Sequence, residues 1–482
     1  MINPHQKVTF SQTPAKVSPA KPSTISEEAA PKPKDEVVSS EITGVGYDGY
    51  LKYKNYQVDL SLEGILTRYS GGFVHGPGHH IGAVAAFAFD DAMTPHPVLK
   101  SGDTRLSRAE RSQPYVLDGF VAGRMDKKGA DSSKIALAEL AEEVGGEVVG
   151  DTFRKLGGLS PTMPFESTEG DNYYLAAVEI TGKPSGDGGQ MEVPDLIAPK
   201  FLSPTEALRS MDNGEISEGG RTRTLYGRGF DSIGYVPQLG AYVHDHPALL
   251  SKFDTLGLGE PVDIRSQLKP SRFPQEKPPA DNLEAQINDV VAVARKEVSM
   301  SDQSRLVDVQ AKHAVNKNGV ITELDGQFPS QYLQLDYDRA KVAQYYIDPE
   351  KGPMVKMKEE ARPALAFAPD SPKVVRRDVQ DLPISRDKPA EEQLPEGVRA
   401  LGKPTGASPG QSDLYYHFYA QETSPPEQPE QSGYVKLSEA IKLCRTGDGD
   451  AHTEALCERL ADDLNWIPNL DMSVQQAKAL IG

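Results

Sequence analysis

KIALAELAEEVGG, residues 134–146, is the stretch whose reading decides the fold. Glu139, Glu142 and Glu143 stand at i, i+3 and i+4, which are neighbouring positions on one side of a helix. The opposite stripe, Ile135, Ala136, Leu140 and Val144, is apolar and suits packing on a sheet. Asp131 or Ser132 is placed to cap the start, and Gly145-Gly146 to end it. Lys134 is the only cation nearby, so three carboxylates repel one another unless something relieves them. A hard divalent cation held by carboxylates is one such arrangement. A solvated acidic face is the plainer one.

Working outward, Phe120-Val121-Ala122-Gly123-Arg124-Met125-Asp126 reads as a strand that runs into a loop with Gly129 and then into the helix. The order strand, Ala-Gly turn, loop and E-L-x-E-E-x-G helix resembles the Nudix box, G-x5-E-x7-R-E-U-x-E-E-x-G-U, with U a bulky aliphatic residue. Glu139, Leu140, Glu142, Glu143 and Gly145 match it in register. Downstream, Leu156-Gly157-Gly158, Ser160-Pro161, Glu166 and the strand Tyr173–Val178 follow. Phe201–Leu208, Gly214-Glu215-Ile216 and Thr222 then come in the order of the ADP-ribose pyrophosphatase branch. The resemblance covers roughly residues 50–245.

The resemblance implies an α/β (α+β) Nudix sandwich with a mixed sheet between helices. It implies hydrolysis of a pyrophosphate bond in a nucleoside diphosphate linked to a further group, with ADP-ribose or an NAD-like dinucleotide as the first expectation. Mg²⁺ or Mn²⁺ would be the cofactor, acting as Lewis acid and water activator. Glu139 and Glu143 would be the main ligands, and the Ala122 carbonyl would complete the shell. Glu142 would hold a further ion or its waters and share in catalysis. Glu166 would be the catalytic base, with Glu169 as the fallback. Read from the residues alone, Arg221 and Arg223, which flank Thr222 in GGRTRT, are placed either to meet substrate phosphate or to stand in a solvated loop.

Several supports of that pattern are missing. The Arg that precedes the first helical Glu is Ala138, and loss of such an orienting group costs roughly 10–100-fold in metal affinity or activity. The Glu expected after Gly129 is Ala130, and the final aliphatic position is Gly146. The interval from Gly123 to Ala130 is one residue longer than in the family. Two functions from different classes follow: a hydrolase with a weakened site, or a catalytically silent scaffold that binds a nucleotide or a protein.

Composition narrows the partners. With 52 Lys+Arg against 70 Asp+Glu, the chain carries a formal charge of −18. Nucleic acid and anionic membrane are therefore poor partners, and a phosphate-bearing substrate would be repelled too unless a metal bridges it. The small-molecule nucleotide is the partner that the resemblance implies. No stretch approaches the roughly 18 apolar residues of a membrane span. The two cysteines, Cys444 and Cys457, imply no disulfide framework. A cytoplasmic location is expected; the alternative is an exported effector whose Ser/Pro/Lys-rich leader is the N-terminal tail.

The sequence divides into a disordered tail over 1–44, a Nudix domain over 45–250, a linker with some helix over 251–325, and a second domain over 326–482. In the linker, Asp281 and Glu284 resemble a capping box before Ile287, Val290 and Val291. The second domain reads as a copy of the first. FLSPTEALRSMDNG (201–214) aligns with YVKLSEAIKLCRTG (434–447), and Thr222 with Thr453. Tyr235-Val236-Pro237 aligns with Trp466-Ile467-Pro468, and Leu156-Gly157 with Leu401-Gly402. Ser160-Pro161 and Tyr173-Tyr174 are paired with Ser408-Pro409 and Tyr415-Tyr416, and the Ala85–Ala88 strand with Ala364–Ala368. No E-x-x-E-E helix stands between Val375 and Leu401, because PAEEQLPEG is short and holds two prolines. The second copy would then lack the metal helix and serve as the partner of the first in an intramolecular pseudo-dimer.

Overall fold

The computed structural model describes residues 36–482 except 63, 79, 105–115, 126–128, 164–166, 183, 185–197, 217, 269–288, 302, 319, 324–326, 369–372, 408–411 and 429–431. The architecture is mixed α+β, with several sheets and no closed barrel. Among the described residues no helix is long and apolar enough to cross a membrane.

Two large mixed sheets dominate. The first has nine strands, and its centre is β1 (His80–Phe89), β2 (Pro95–Thr104), β3 (Val121–Arg124) and β4 (Gly170–Ile180). Strand β1 pairs parallel with β4 and antiparallel with β2 and β3. The GAVAAFAF run within β1 is apolar on both sides because both faces are covered. Val84, Ala86 and Ala88 pack against Ala136, Leu140 and Val144 of helix α1 (Ser132–Val144). Ala83, Ala85, Phe87 and Phe89 face α2 (Pro204–Asp212) and α3 (Gly219–Ser232).

The second sheet has seven strands, centred on β5 (Tyr337–Asp348), β6 (Gly352–Lys356), β7 (Gln380–Ser385) and β8 (Tyr415–Glu422). Here β5 pairs parallel with β8 and antiparallel with β6 and β7. Helices α4 (Leu437–Arg445) and α5 (Ala451–Asp463) cover one face. The other face, with Ala340, Val342, Ile384 and Tyr419, meets Ala390, Leu394 and Val398 around a 3₁₀ turn.

Several sequence expectations change in the fold. Residues Glu36–Asp48 form a strand paired with Lys52–Leu62, so the part of the expected tail over 36–44 is ordered. Residues 281–288 of the expected linker helix lie outside the described residues. Val290 and Val291 stand in the strand Asp289–Ser301, whose hairpin partner is Ser304–Lys317. The latter also pairs with Phe328–Leu335, across the expected boundary at 326. Pairing of the β-branched run outweighs the local capping signal.

Residues Pro363–Phe367 form a 3₁₀ helix, not a core strand, and Phe367 stacks on Phe73 at 5.3 Å. The central strand of the second sheet is instead drawn from Tyr337–Asp348. The Leu156 N–H donates to the Tyr173 carbonyl, and the Leu401 N–H to the Phe418 carbonyl. Tyr173 therefore occupies the place of Phe418, three residues beyond Tyr415. Ser408 and Pro409 lie outside the described residues; on the sheet, Thr405–Gly406 pairs as Ser160–Pro161 does.

Candidate functional site

Helix α1 is framed by its own sequence. The Asp131 carboxylate accepts from the Ser133 N–H at 3.0 Å. At the other end Gly145 adopts φ 62°, and its N–H reaches the Ala141 and Leu140 carbonyls. Such a left-handed closure favours glycine. The apolar stripe lies on the sheet as expected, except that Ile135 is only half-buried.

The carboxylates behave differently from one another. Glu143 turns inward and is 1% exposed. One carboxylate oxygen accepts the Ala122 N–H at 3.0 Å. The other is bonded by the ammonium of Lys100, itself buried, from β2. Glu139 lies over Gly123, where an added Cβ would run into its carboxylate. Glu139 and Glu143 thus meet consecutive residues of β3, whereas Glu142 is half-buried on the helix flank. Among the described residues, no group of three His, Cys, Asp or Glu side chains is arranged to hold an ion.

Strand β3 leads from these carboxylates to a cleft. Met125, three residues or roughly 10 Å beyond Ala122, lines a space of about 690 Å³ that includes open solvent. Its polar lining includes His80, Ser132 at the start of α1, Lys155 and Asn172, while Thr446 and Gly447 supply a wall from the second sheet's unit.

The remaining expected residues are dispersed. Glu166 lies outside the described residues. Glu169 is buried, where the Gly76 N–H and the Arg124 guanidinium bond its carboxylate. Arg221 is buried between Asp171, at 2.7 Å, and Glu218. Arg223 is buried against Asp462, with Asp212 at 3.7 Å and Glu458 at 3.9 Å. Neither arginine lines the cleft beside α1. Both guanidiniums are engaged by carboxylates that outweigh the opposing effect of burial.

His75 and His80 are buried, and His79 lies outside the described residues. Cys444, His452 and Cys457 are buried packing residues, and His452 stacks on Tyr416 at 4.1 Å.

Two lysines escaped the sequence reading. Besides Lys100, Lys341 lies fully buried in β5, 2.9 Å from Asp378 and Asp450, 3.2 Å from Asp381 and 2.9 Å from the Thr453 hydroxyl. Burial opposes its charge, yet the three aspartates hold its pKa well above the usual lysine value. The parallel register of β1 with β4 and of β5 with β8 gives Lys341 the position of Ala83. In each case the available signal was a single lysine inside an apolar strand, VLKS and RAKVA. Comparison of the chain with protein-family models and with curated proteins returns no match.

Proposed function

We propose that the chain is a pair of Nudix-type units derived from one domain, and that it binds a nucleoside-diphosphate compound in the cleft beside α1 without metal-dependent hydrolysis. The observation that carries this reading is the buried Lys100–Glu143 pair. The resemblance seats a divalent ion on Glu143, but here an ammonium fills that role on a carboxylate closed to solvent. Mg²⁺ keeps several waters and near-octahedral geometry, which a carboxylate shared with Lys100 and the Ala122 N–H does not fit. The missing Arg at Ala138 and the absent Glu at Ala130 point the same way.

The cleft suits a ligand with phosphate and polar groups. The N-terminus of a 13-residue helix opens on it, and helix N-termini favour anions. Lys155 adds a cation, and Asn172 and Thr446 add neutral hydrogen-bonding groups. The second unit would act as the partner that completes this wall in cis.

A second reading, the hydrolase, is favoured by one specific observation. Glu139 and Glu143 converge on Ala122–Gly123, and the Ala122 carbonyl leaves the same strand edge as its N–H. The two readings part on one assay. The purified protein is incubated with ADP-ribose, NAD, nucleoside-diphosphate sugars and dinucleoside polyphosphates, with Mg²⁺ or Mn²⁺, beside Glu143→Gln. Chromatography finds no product with either protein under the first reading. Turnover that the substitution abolishes establishes the hydrolase.

A further inference from the structure

Helices α3 and α5 pack against each other across the two units, and their contacts repeat about an approximate twofold relation. The Gly158 N–H donates to the Arg445 carbonyl at 2.8 Å, and the Lys403 N–H donates to the Asp212 carbonyl at 2.9 Å. Arg228 reaches the Leu156 and Gly158 carbonyls at 3.0 and 3.3 Å. Arg459 reaches those of Leu401 and Lys403 at 2.9 and 3.1 Å. Gly157 and Gly402 both take positive φ, 74° and 78°, where these crossings occur. Matching surface meeting matching surface is the signature of an isologous interface.

The charges break that symmetry. Asp212 and Arg445 end α2 and α4 at matching positions. Arg223 matches Glu454, whereas Arg228 matches Arg459 and Asp231 matches Asp462. Across the interface, Arg228 bonds Glu454 at 2.7 Å with both side chains fully buried. Arg445 meets Asp231 at 2.6 Å, and Arg459 meets Asp212 at 2.9 Å.

Replace the second unit by another first unit, and Arg228 faces the copy's Arg223 while Asp231 faces its Asp212. Replace the first by another second unit, and Asp462 faces Glu454 while Arg459 faces Arg445. Each mismatch occurs twice; the Arg228–Glu454 position is fully buried, while Asp231, Asp212 and Asp462 are partly buried.

We propose that this interface pairs a first unit only with a second unit, and that the intact chain closes on itself instead of joining a second copy through this face. Attraction in the mixed pair and burial of like charges in either homotypic pair together set the specificity. The inference stands whether or not the cleft binds a nucleotide.

The test begins with the full chain carrying a protease site inserted within residues 269–288, its mass read by light scattering before and after cleavage. The expected result is a one-chain mass before cleavage and a one-to-one complex of the halves afterwards. Glu454→Arg, which sets an arginine against Arg228, should weaken that complex by about a hundredfold or more. Glu454→Gln, which removes a charge without creating a clash, should weaken it less. A two-chain intact protein, homotypic pairs after cleavage, or equal losses in the two variants would overturn the proposal.

Discussion

The two sheets place a parallel strand pair at the centre and a helix pair on one face, yet their other faces are finished differently. In the first unit the outer face is covered by α1, whose Ala136, Leu140 and Val144 lie on Val84, Ala86 and Ala88. In the second, the same layer is thinned to a 3₁₀ turn with Ala390, Leu394 and Val398. The buried ammonium also changes sides. Lys100 serves the carboxylate of the outer helix, whereas Lys341 faces inward to Asp450 at the start of α5. Where the 3₁₀ turn takes the place of an outer helix, the buried lysine instead faces Asp450 at the start of the interface helix.

The largest effect should come from Lys341→Met. It leaves Asp378, Asp381 and Asp450 together in a dry site, and breaking such a buried arrangement costs about 3–5 kcal/mol. Urea unfolding followed by far-UV circular dichroism reads this directly. A loss below 1 kcal/mol would break the comparison by making the inward lysine dispensable.

Lys100→Met should cost somewhat less, about 3 kcal/mol, because it removes the cation beside one buried carboxylate. Adding Glu143→Gln should restore most of the loss, since the amide can still accept the Ala122 N–H. No recovery in the double variant would separate Lys100 from Glu143 energetically.

The interface supplies a pH-dependent test. Burial pushes the Glu458 carboxyl up to about 8, with Glu454 adding to the rise and Arg223 and Arg445 opposing it. The unfolded chain releases this proton near 4.5, so between the two values the folded state binds the extra proton. Stability from this group is therefore present below about 4.5 and is lost as pH rises towards about 8. The urea midpoint should fall across that window, and Glu458→Gln should flatten the fall.

The smallest effect belongs to the end of α1. Gly145 sits at φ 62°, and an alanine there should cost about 1 kcal/mol in the same unfolding measurement. Among the described residues the second unit has no equivalent helix end to perturb.

What the sequence disclosed follows the range of the forces involved. Helix α1 was legible because its spacing and both caps are local. The likeness of the α2–α3 and α4–α5 segments was legible because Thr222 and Thr453, with Pro237 and Pro468, keep their spacing. The partner of Glu143 was not legible, because Lys100 stands 43 residues away in sequence and only the tertiary fold brings them together. Arg221 and Arg223 read as a basic pair beside a loop; Arg221 is buried against Asp171 of its own unit and Arg223 against Asp462 across the interface, pairings that only the tertiary fold creates. The Ala-rich 364–368 stretch has the composition of the first unit's core strand, but its backbone turns to cover Phe73 and Tyr56 from the partner unit.

On the proposed reading, the cleft binds a nucleoside diphosphate without help from a divalent ion. Isothermal titration of the intact protein with ADP-ribose, once in EDTA and once in Mg²⁺, with the recovered ligand then chromatographed, tests it most directly. Equal affinity in both buffers, with the ligand recovered intact, is the expected result. Binding that appears only with Mg²⁺, accompanied by AMP and ribose phosphate, would contradict it.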